Sequence, residues 1–400
     1  MIRMMQNKID YLVGQAPVRV QSLKPFDDVL CDYLNDLSKA IMGYERLREY
    51  PDLVTFAYWC RKSNLCKMKE HYPDLGERLG RGTVFHIAPS NVPINFAFSL
   101  VFGLLSGNAN IVRVSSHDFA QTGIICALIN ELLCREEYQF LKQYIIVVQY
   151  SHDKEITDYF SNLCDARIIW GGDATIQEIR KSPIGMRTVE INFADRYSFG
   201  VIDADYLTGV SQTKIKQLAH EFYNDTYLID QNACSSPHLI LWKGNASHIS
   251  CAQKLFWDSV YEEAKNYFLA PIKASEKYAM LCMELIQDAD MIDSVYRYDN
   301  YLYRVALSRL PAQMDVLRGK YGLFFEYSLK DFNELNELIS NKVQTAVYCG
   351  LEPEKIRDWI MEQGLKGIDR VVPFGQALDI SLIWDGYDVI RTLSRVIAVK

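Results

Sequence analysis

Thr83-Val84-Phe85-His86-Ile87-Ala88-Pro89-Ser90-Asn91-Val92-Pro93 opens the part of the chain that decides the fold. A short apolar run rich in β-branched residues enters a turn stiffened by two prolines, and an apolar helical stretch from 94 to 106 follows. The order then repeats. A run at 110–114 leads to a helix at 118–134, 144–148 to a helix at 154–163, and 166–170 to a helix at 174–181, with a fifth run at 187–191. That alternation predicts βαβ units, a parallel sheet covered on both faces, and a ligand at the carboxyl ends of the strands.

The turns after these strands therefore carry the binding expectations. Gly171-Gly172 opens the helix after the fourth strand, where a backbone without side chains and unpaired N–H groups suit a pyrophosphate. No G-x-G-x-x-G occurs, which counts against an ordinary dinucleotide fingerprint. Arg113 and Ser115 follow the second strand and could hold an adenosine ribose or its 2′-phosphate, or be a solvated arginine and a helix-capping serine. Asn91, between Pro89 and Pro93, is either a preorganised amide for an oxyanion or a turn-forming asparagine. Glu190 lies inside an apolar strand, so it is either paired in the core or kept near a site with a raised pKa.

Upstream, residues 1–80 show helical periodicity from Asp27 to Glu49, with Leu30, Leu34, Leu37 and Ile41 on one face, and a second helix around Phe56 to Cys66. No chemistry is visible there, and the segment is expected to cover one side of the domain that follows. Downstream, a strand at 197–203 and an amphipathic helix near 211–223 lead to Asp230-Gln231-Asn232-Ala233-Cys234-Ser235-Ser236-Pro237-His238. Small and polar neighbours and a closing proline make this a loop that presents the Cys234 thiol, whereas a core cysteine sits in an apolar run. A strand at 239–242, a helix at 247–268, a hairpin across Tyr296 to Tyr303, a strand at 324–328, a helix at 331–341 and a strand at 344–349 complete a second α/β unit. The expected division is 1–80, a cofactor domain at 81–192, a catalytic domain at 193–365 and a carboxyl-terminal segment at 366–400.

Four hundred residues, 49% of them apolar, suffice for two cores. A formal charge of −7 without long runs of one sign gives no footprint for nucleic acid or an anionic membrane. The amino terminus, Met1 to Lys8, lacks the apolar core of a secretory signal, and the longest apolar stretch, Ile94 to Ser106, is too short to span a bilayer. Ten cysteines show no C-x-x-C pair and no zinc spacing, so no metal is expected, and reduced thiols in a cytoplasmic protein are.

In order, Asn91 between prolines, the apolar helix ending in Gly107-Asn108-Ala109-Asn110, Arg113, Gly171-Gly172, Val189-Glu190-Ile191 and the Cys234 loop resemble the aldehyde dehydrogenase superfamily. His86 to Pro93, Asn232 to Pro237, Gly367 to Gly375 and Trp384-Asp385-Gly386-Tyr387 are similar to the bacterial fatty acyl-CoA reductase family that supplies aldehyde for bioluminescence. The resemblance runs from about Gly80 to the carboxyl terminus. It implies a parallel-sheet cofactor domain, a second α/β domain bearing the thiol, and NADPH-dependent reduction of a fatty acyl thioester to an aldehyde. By position it makes Cys234 the nucleophile, Asn91 the oxyanion amide and Glu190 the general base. It sets Gly171 and Gly172 at the pyrophosphate, and Arg113 and Ser115 at the ribose. It further implies acyl-CoA or an acyl-protein as substrate, an acyl-protein synthetase subunit as partner, and a homo-oligomer. The sequence departs from the pattern where Asn192-Phe193 replaces a glycine pair, and no second cofactor-binding glutamate can be placed near Tyr321 to Glu326.

Three other readings stay open. One is a reductase of short-chain acyl-CoA or acyl phosphate. Another is a cysteine acyltransferase or hydrolase that uses His238 or His220 and no nicotinamide. The last is a non-catalytic subunit that binds an acyl-protein.

Overall fold

The computed structural model describes residues 8–17, 19–287 and 289–399. Residues 1–7, which carry most of the expectation of a missing secretory signal, lie outside them. The chain forms two compact units, residues 1–194 with 382–400, and residues 195–381.

The first unit contains β1 (Asp10–Val13), α1 (Asp28–Met42), β2 (Thr83–Ile87), α2 (Asn95–Leu105), β3 (Ala109–Arg113), α3 (Ala120–Leu132), β4 (Ile145–Gln149), α4 (Lys154–Leu163), β5 (Ala166–Trp170), α5 (Asp173–Arg180) and β6 (Val189–Phe193). The sheet order is β1-β4-β3-β2-β5-β6. Strands β2 to β6 are parallel, and β1 joins β4 antiparallel. The chain winds from β2 outward to β4, then crosses to the other side of β2 for β5 and β6. This reversal between β2 and β5 is where sheets of this kind leave a crevice at their carboxyl ends.

Several polar residues buried in this unit are satisfied by one another. Trp170 Nε1 donates to Ser99 Oγ at 2.9 Å, Ser99 Oγ lies 2.8 Å from His86 Nδ1, and His86 Nε2 lies 3.0 Å from Asn110 Oδ1. Burial holds the His86 imidazole at about 4, so it is neutral at pH 7. This chain ties β5, α2, β2 and β3 together with few unpaired groups, as a buried network must. The amino-terminal helices cover α2, where Phe56 and Trp59 meet Phe98 edge-on at 5.0 and 5.6 Å. Expected as one helix from Phe56 to Cys66, this region is two, Pro51–Trp59 and Lys62–Glu70, because Arg61 is extended and Asn64 Nδ2 takes the Trp59 carbonyl at 2.8 Å. The carboxyl-terminal Ser394–Val396 pairs with Arg78–Gly80, so the last part of the chain belongs here.

The second unit contains β7 (Tyr197–Asp203), α6 (Gln212–Thr226), β8 (Pro237–Lys243), α7 (Ala246–Ala264), α8 (Pro271–Gln287), β9 (Ile292–Tyr298), β10 (Leu302–Leu307), β11 (Leu323–Leu329), β12 (Val343–Cys349), α9 (Pro353–Gln363) and β13 (Arg370–Pro373). Its sheet order is β9-β10-β11-β8-β7-β12-β13, with the β9–β10 hairpin antiparallel and the other neighbours parallel. Phe222 of α6 packs on Phe256 and Trp257 of α7 and on Phe324 of β11 at 5.3, 5.8 and 5.1 Å. Glu326 is buried in this core and accepts from Trp242 and Trp257 at 2.9 and 3.0 Å and from Arg304 at 2.6 Å. The carboxylate in the segment where a second cofactor glutamate was sought is therefore committed to the core. The helix expected at 331–341 is replaced by one 3-10 turn, Phe332–Leu335. A capping box at Asp331 and Glu334 starts it, and Asn336 is drawn away by Gln363 and the Trp359 indole of α9 at 3.0 and 2.9 Å.

Candidate active site

Cys234 stands in a hydrogen-bonded turn just before β8, closed by Ser236 N–H to the Ala233 carbonyl at 3.0 Å, and its side chain is half-buried. Three and four residues before Cys234 the backbone is strained. Asp230 and Gln231 both have φ of 58°, a region costing non-glycine residues on the order of 1–3 kcal/mol each. The surroundings hold that shape. The buried Gln231 carboxamide accepts from Gly322 N–H at 2.7 Å and donates to the Leu323 carbonyl at 3.2 Å, while Asp230 takes Lys273 Nζ at 2.8 Å and the Tyr267 hydroxyl. Ser198 Oγ fixes the Cys234 carbonyl at 2.6 Å.

Around the sulfur the partners are Arg196 and Asp195. The Arg196 N–H donates to Sγ at 3.4 Å, and the Cys234 thiol points at Asp195 Oδ1 at 3.8 Å. Arg318 bridges these two residues, with Nη1 on Asp195 Oδ1 at 2.9 Å and Nη2 on the Arg196 carbonyl at 3.0 Å. The buried Arg196 guanidinium is itself anchored on the Asp369 carboxylate and on the Val343 carbonyl at 2.7 Å. A thiol in this setting has an N–H for its developing charge and a carboxylate for its proton.

In the first unit the structure brings together the turns after β2, β3 and β5 on one edge of the sheet. Asn91 is exposed in the turn after β2. Arg113 ends β3 with its guanidinium 4.7 Å from the centre of the Tyr150 ring, its buried Nε without a partner among the described residues. Ser115 Oγ accepts from the His117 N–H at 3.1 Å, a local turn rather than a helix cap. Gly172 caps α5 with φ of −65°, no side chain caps that helix, and a Cβ placed there would meet nothing within 4 Å. Neither conformation nor packing requires glycine at 172, so what it preserves is open space above the helix N–H groups.

Glu190 lies elsewhere, in the amino-terminal half of β6 opposite Arg167 of β5. It accepts from Arg167 at 2.8 and 2.5 Å, from Arg180 at 2.7 Å and from Asn192 at 3.0 Å. Burial pushes its carboxyl up, but these hydrogen bonds and the Arg167 charge outweigh that and bring it below the usual range. Of the two alternatives for a carboxylate in this strand, it is paired. The histidines of the acyltransferase reading are occupied as well. His238 is buried with Nδ1 3.0 Å from the Gly319 carbonyl and its pKa lowered by burial to about 4, and the exposed His220 faces Glu263 at 3.1 Å.

Sequence reading missed Asp195, Arg196 and Arg318. A charged pair directly ahead of a largely apolar strand was the available signal for the first two. For Arg318, in a loop ahead of β11, no local pattern marks it.

The architecture is that of the aldehyde dehydrogenases. The fold superposes on an NAD-dependent benzaldehyde dehydrogenase from Corynebacterium glutamicum with a TM-score of 0.59 over 97% of this chain and 96% of that one, at 13% identity. A profile described as acyl-CoA reductase (LuxC) matches residues 61–396, and the chain belongs to that family. It is 26% identical over 192 residues to long-chain acyl-protein thioester reductase 2 of Photobacterium leiognathi, covering 47% of this chain and 36% of that protein. It is 23% identical over 327 residues to the long-chain acyl-protein thioester reductase of Photobacterium phosphoreum, covering 79% and 62%. The chain thus spans less than two thirds of these relatives. Among the described residues, no helix is long and apolar enough to cross a membrane and no His, Cys, Asp or Glu cluster could hold a metal.

Proposed function

We propose that this protein reduces a fatty acyl thioester, carried by coenzyme A or by a protein, to a fatty aldehyde with NADPH through a thioacyl-enzyme on Cys234. The observation that carries the proposal is the Cys234 thiol held on a preorganised turn between the Arg196 N–H and the Asp195 carboxylate. The names of the relatives, all acyl-protein thioester reductases, support the acyl substrate and a protein carrier such as an acyl-protein synthetase subunit.

Cys234 forms the S–C bond to the acyl carbon and the carrier thiol leaves. The developing oxyanion is received by the Cys234 N–H, worth about 3 kcal/mol; Asn91, the amide the family resemblance assigns to that charge, is the candidate for it in the first unit. The α5 terminus at Gly171 and Gly172, open at Gly172, and the Nε of Arg113, unpartnered among the described residues, fit a dinucleotide, with Ser115 beside Arg113 at its ribose. When bound, the nicotinamide would supply the hydride that reduces the thioester carbonyl carbon to the thiohemiacetal level. The thiohemiacetal on Cys234 then breaks its C–S bond and the thiol is restored. For Glu190, the two arginines favour a counter-ion role over that of proton carrier. Self-association would cover the exposed apolar side chains of Phe268, Ile272, Tyr278, Met283 and Ile286 on and beside α8.

The test follows NADPH oxidation by wild type and Cys234→Ala with tetradecanoyl-CoA and, separately, acetyl-CoA. Oxidation with the long chain by wild type alone supports both the reaction and the nucleophile. Equal rates with acetyl-CoA move the assignment to a short-chain reductase, and acylation of Cys234 without oxidation moves it to an acyltransferase.

A further inference from the structure

We propose that Asp195 is the proton carrier of Cys234, held in place by Arg318. This rests on Cys234 as the nucleophile and adds a catalytic residue to it. Three observations converge. The thiol is aimed at Asp195 Oδ1, 3.8 Å away. The carboxylate is half-exposed, so a proton placed on it can exchange with water. The segment bearing it is immobilised from several sides, by Arg318 on the Asp195 carboxylate and the Arg196 carbonyl, by Lys342 Nζ on the Asp195 carbonyl at 3.3 Å, and by the anchored Arg196 side chain.

The proton balance closes over both half-reactions. As the Cys234 sulfur bonds to the acyl carbon, its S–H bond breaks and the proton passes to Asp195. The C–S bond to the carrier then breaks, and the carrier thiolate takes that proton and leaves as a free thiol. After hydride delivery the thiohemiacetal C–S bond breaks, and the Cys234 thiolate takes a proton that Asp195 has drawn from water. One proton and one hydride are consumed for each aldehyde formed.

Arg318 is a positioning residue. Its planar fork holds Asp195 and the Arg196 carbonyl at once, and its Nε donates to the Asp315 carbonyl at 3.2 Å. A lysine has one point donor and cannot reproduce both contacts.

The test separates proton transfer from charge and from scaffolding. Asp195→Asn keeps the size and removes the carboxylate. Two rates are measured on the holo-length chain: acylation of Cys234 by tetradecanoyl-CoA, and its alkylation by iodoacetamide. Mass spectrometry of the Cys234 peptide reads both, because Cys66, Cys134 and Cys251 are also exposed. Alkylation needs only thiolate, and removing a negative charge beside the sulfur favours thiolate. The proposal expects alkylation to be unchanged or faster and acylation to be about 100-fold slower, the size of a lost general acid–base group. Arg318→Lys should slow acylation about tenfold, with alkylation again preserved. If both rates fall together, Asp195 only shapes the loop; if both hold or rise, it carries no proton. Either result overturns the proposal. Retained turnover in Cys234→Ala, run in parallel, would instead remove the nucleophile on which it rests.

Discussion

Glu190→Gln separates a framework carboxylate from a catalytic one. Arg167 is 1% exposed, and Glu190 is its counter-ion through two short contacts to one oxygen. Removing one partner of a buried pair costs about 3–5 kcal/mol, because the other charge stays buried without compensation. The lower end applies here. Arg167 keeps neutral acceptors in Ser161 Oγ at 3.0 Å and the Ser182 carbonyl at 2.9 Å, and Glu190 is partly solvated. A loss of about 3 kcal/mol lowers Tm by about 6–12 °C in a unit of this size. Arg180→Gln is the control. Its side chain is 57% exposed, so the loss should stay below about 1 kcal/mol. The assay is thermal melting by circular dichroism, with NADPH turnover measured well below both transitions, where Glu190→Gln should keep at least a third of wild-type activity. The pH dependence has a definite sign. The carboxyl is lowered in the fold, so its contribution is present above the usual carboxylate range and lost as pH falls through its folded value. The gap in Tm between wild type and Glu190→Gln should therefore narrow in acid. A variant that melts with wild type yet loses turnover more than 100-fold refutes the argument and makes Glu190 a chemical group.

Gly172→Asp should hold or raise Tm, because a carboxylate caps α5, yet raise the KM for NADPH at least tenfold by occupying the N–H groups a pyrophosphate would use; an unchanged KM removes that site. Gln231→Ala strands the buried Gly322 N–H and should cost about 2 kcal/mol, read as a lower urea midpoint, while a loss near zero means the strained loop is held by other contacts. Burial raises the Asp225 carboxyl to about 7 despite N–H bonds from Gly375 and Ala377. The folded chain keeps that proton where the unfolded chain has lost it, so this contribution to stability is present below about pH 4 and disappears as pH rises to about 7; Asp225→Asn should flatten that part of the Tm profile, and an unaltered slope would contradict it.

The first sheet was legible because its strands are buried on both faces. A run such as Ala166–Trp170, with no exposed residue, leaves a continuous apolar signature that solvent-facing strands lack. β1 was not, since four residues carry no period and its place depends on pairing with β4. α8 was missed for a related reason. Its apolar residues Ile272, Met283 and Ile286 face solvent while Lys277 is buried, holding the carbonyls of Asn300 and Tyr321, so the pattern inverts the usual helix face. The 331–341 stretch has helical spacing but yields to side-chain bonds from α9, a tertiary effect that local propensity does not contain.

The site residues divide along the same physical line. In the first unit the candidate binding turns follow their strands, where the rule for parallel sheets directs attention. In the second unit the groups around the thiol precede theirs. Arg318 lies ahead of β11, Cys234 ahead of β8, Asp195 and Arg196 ahead of β7, Lys342 ahead of β12 and Asp369 ahead of β13. Those five strands are consecutive in the sheet, β11-β8-β7-β12-β13, and parallel, so their amino ends form one row. Residues scattered from 195 to 369 are thereby neighbours, linked from Arg318 through Asp195 and Arg196 to Asp369. Three of them are cations on an edge where a carboxylate faces the sulfur, and they supply the compensating charge that lets Asp195 stay beside the thiol. Strand order, which no single segment encodes, turns separate charged residues into a support for one thiol.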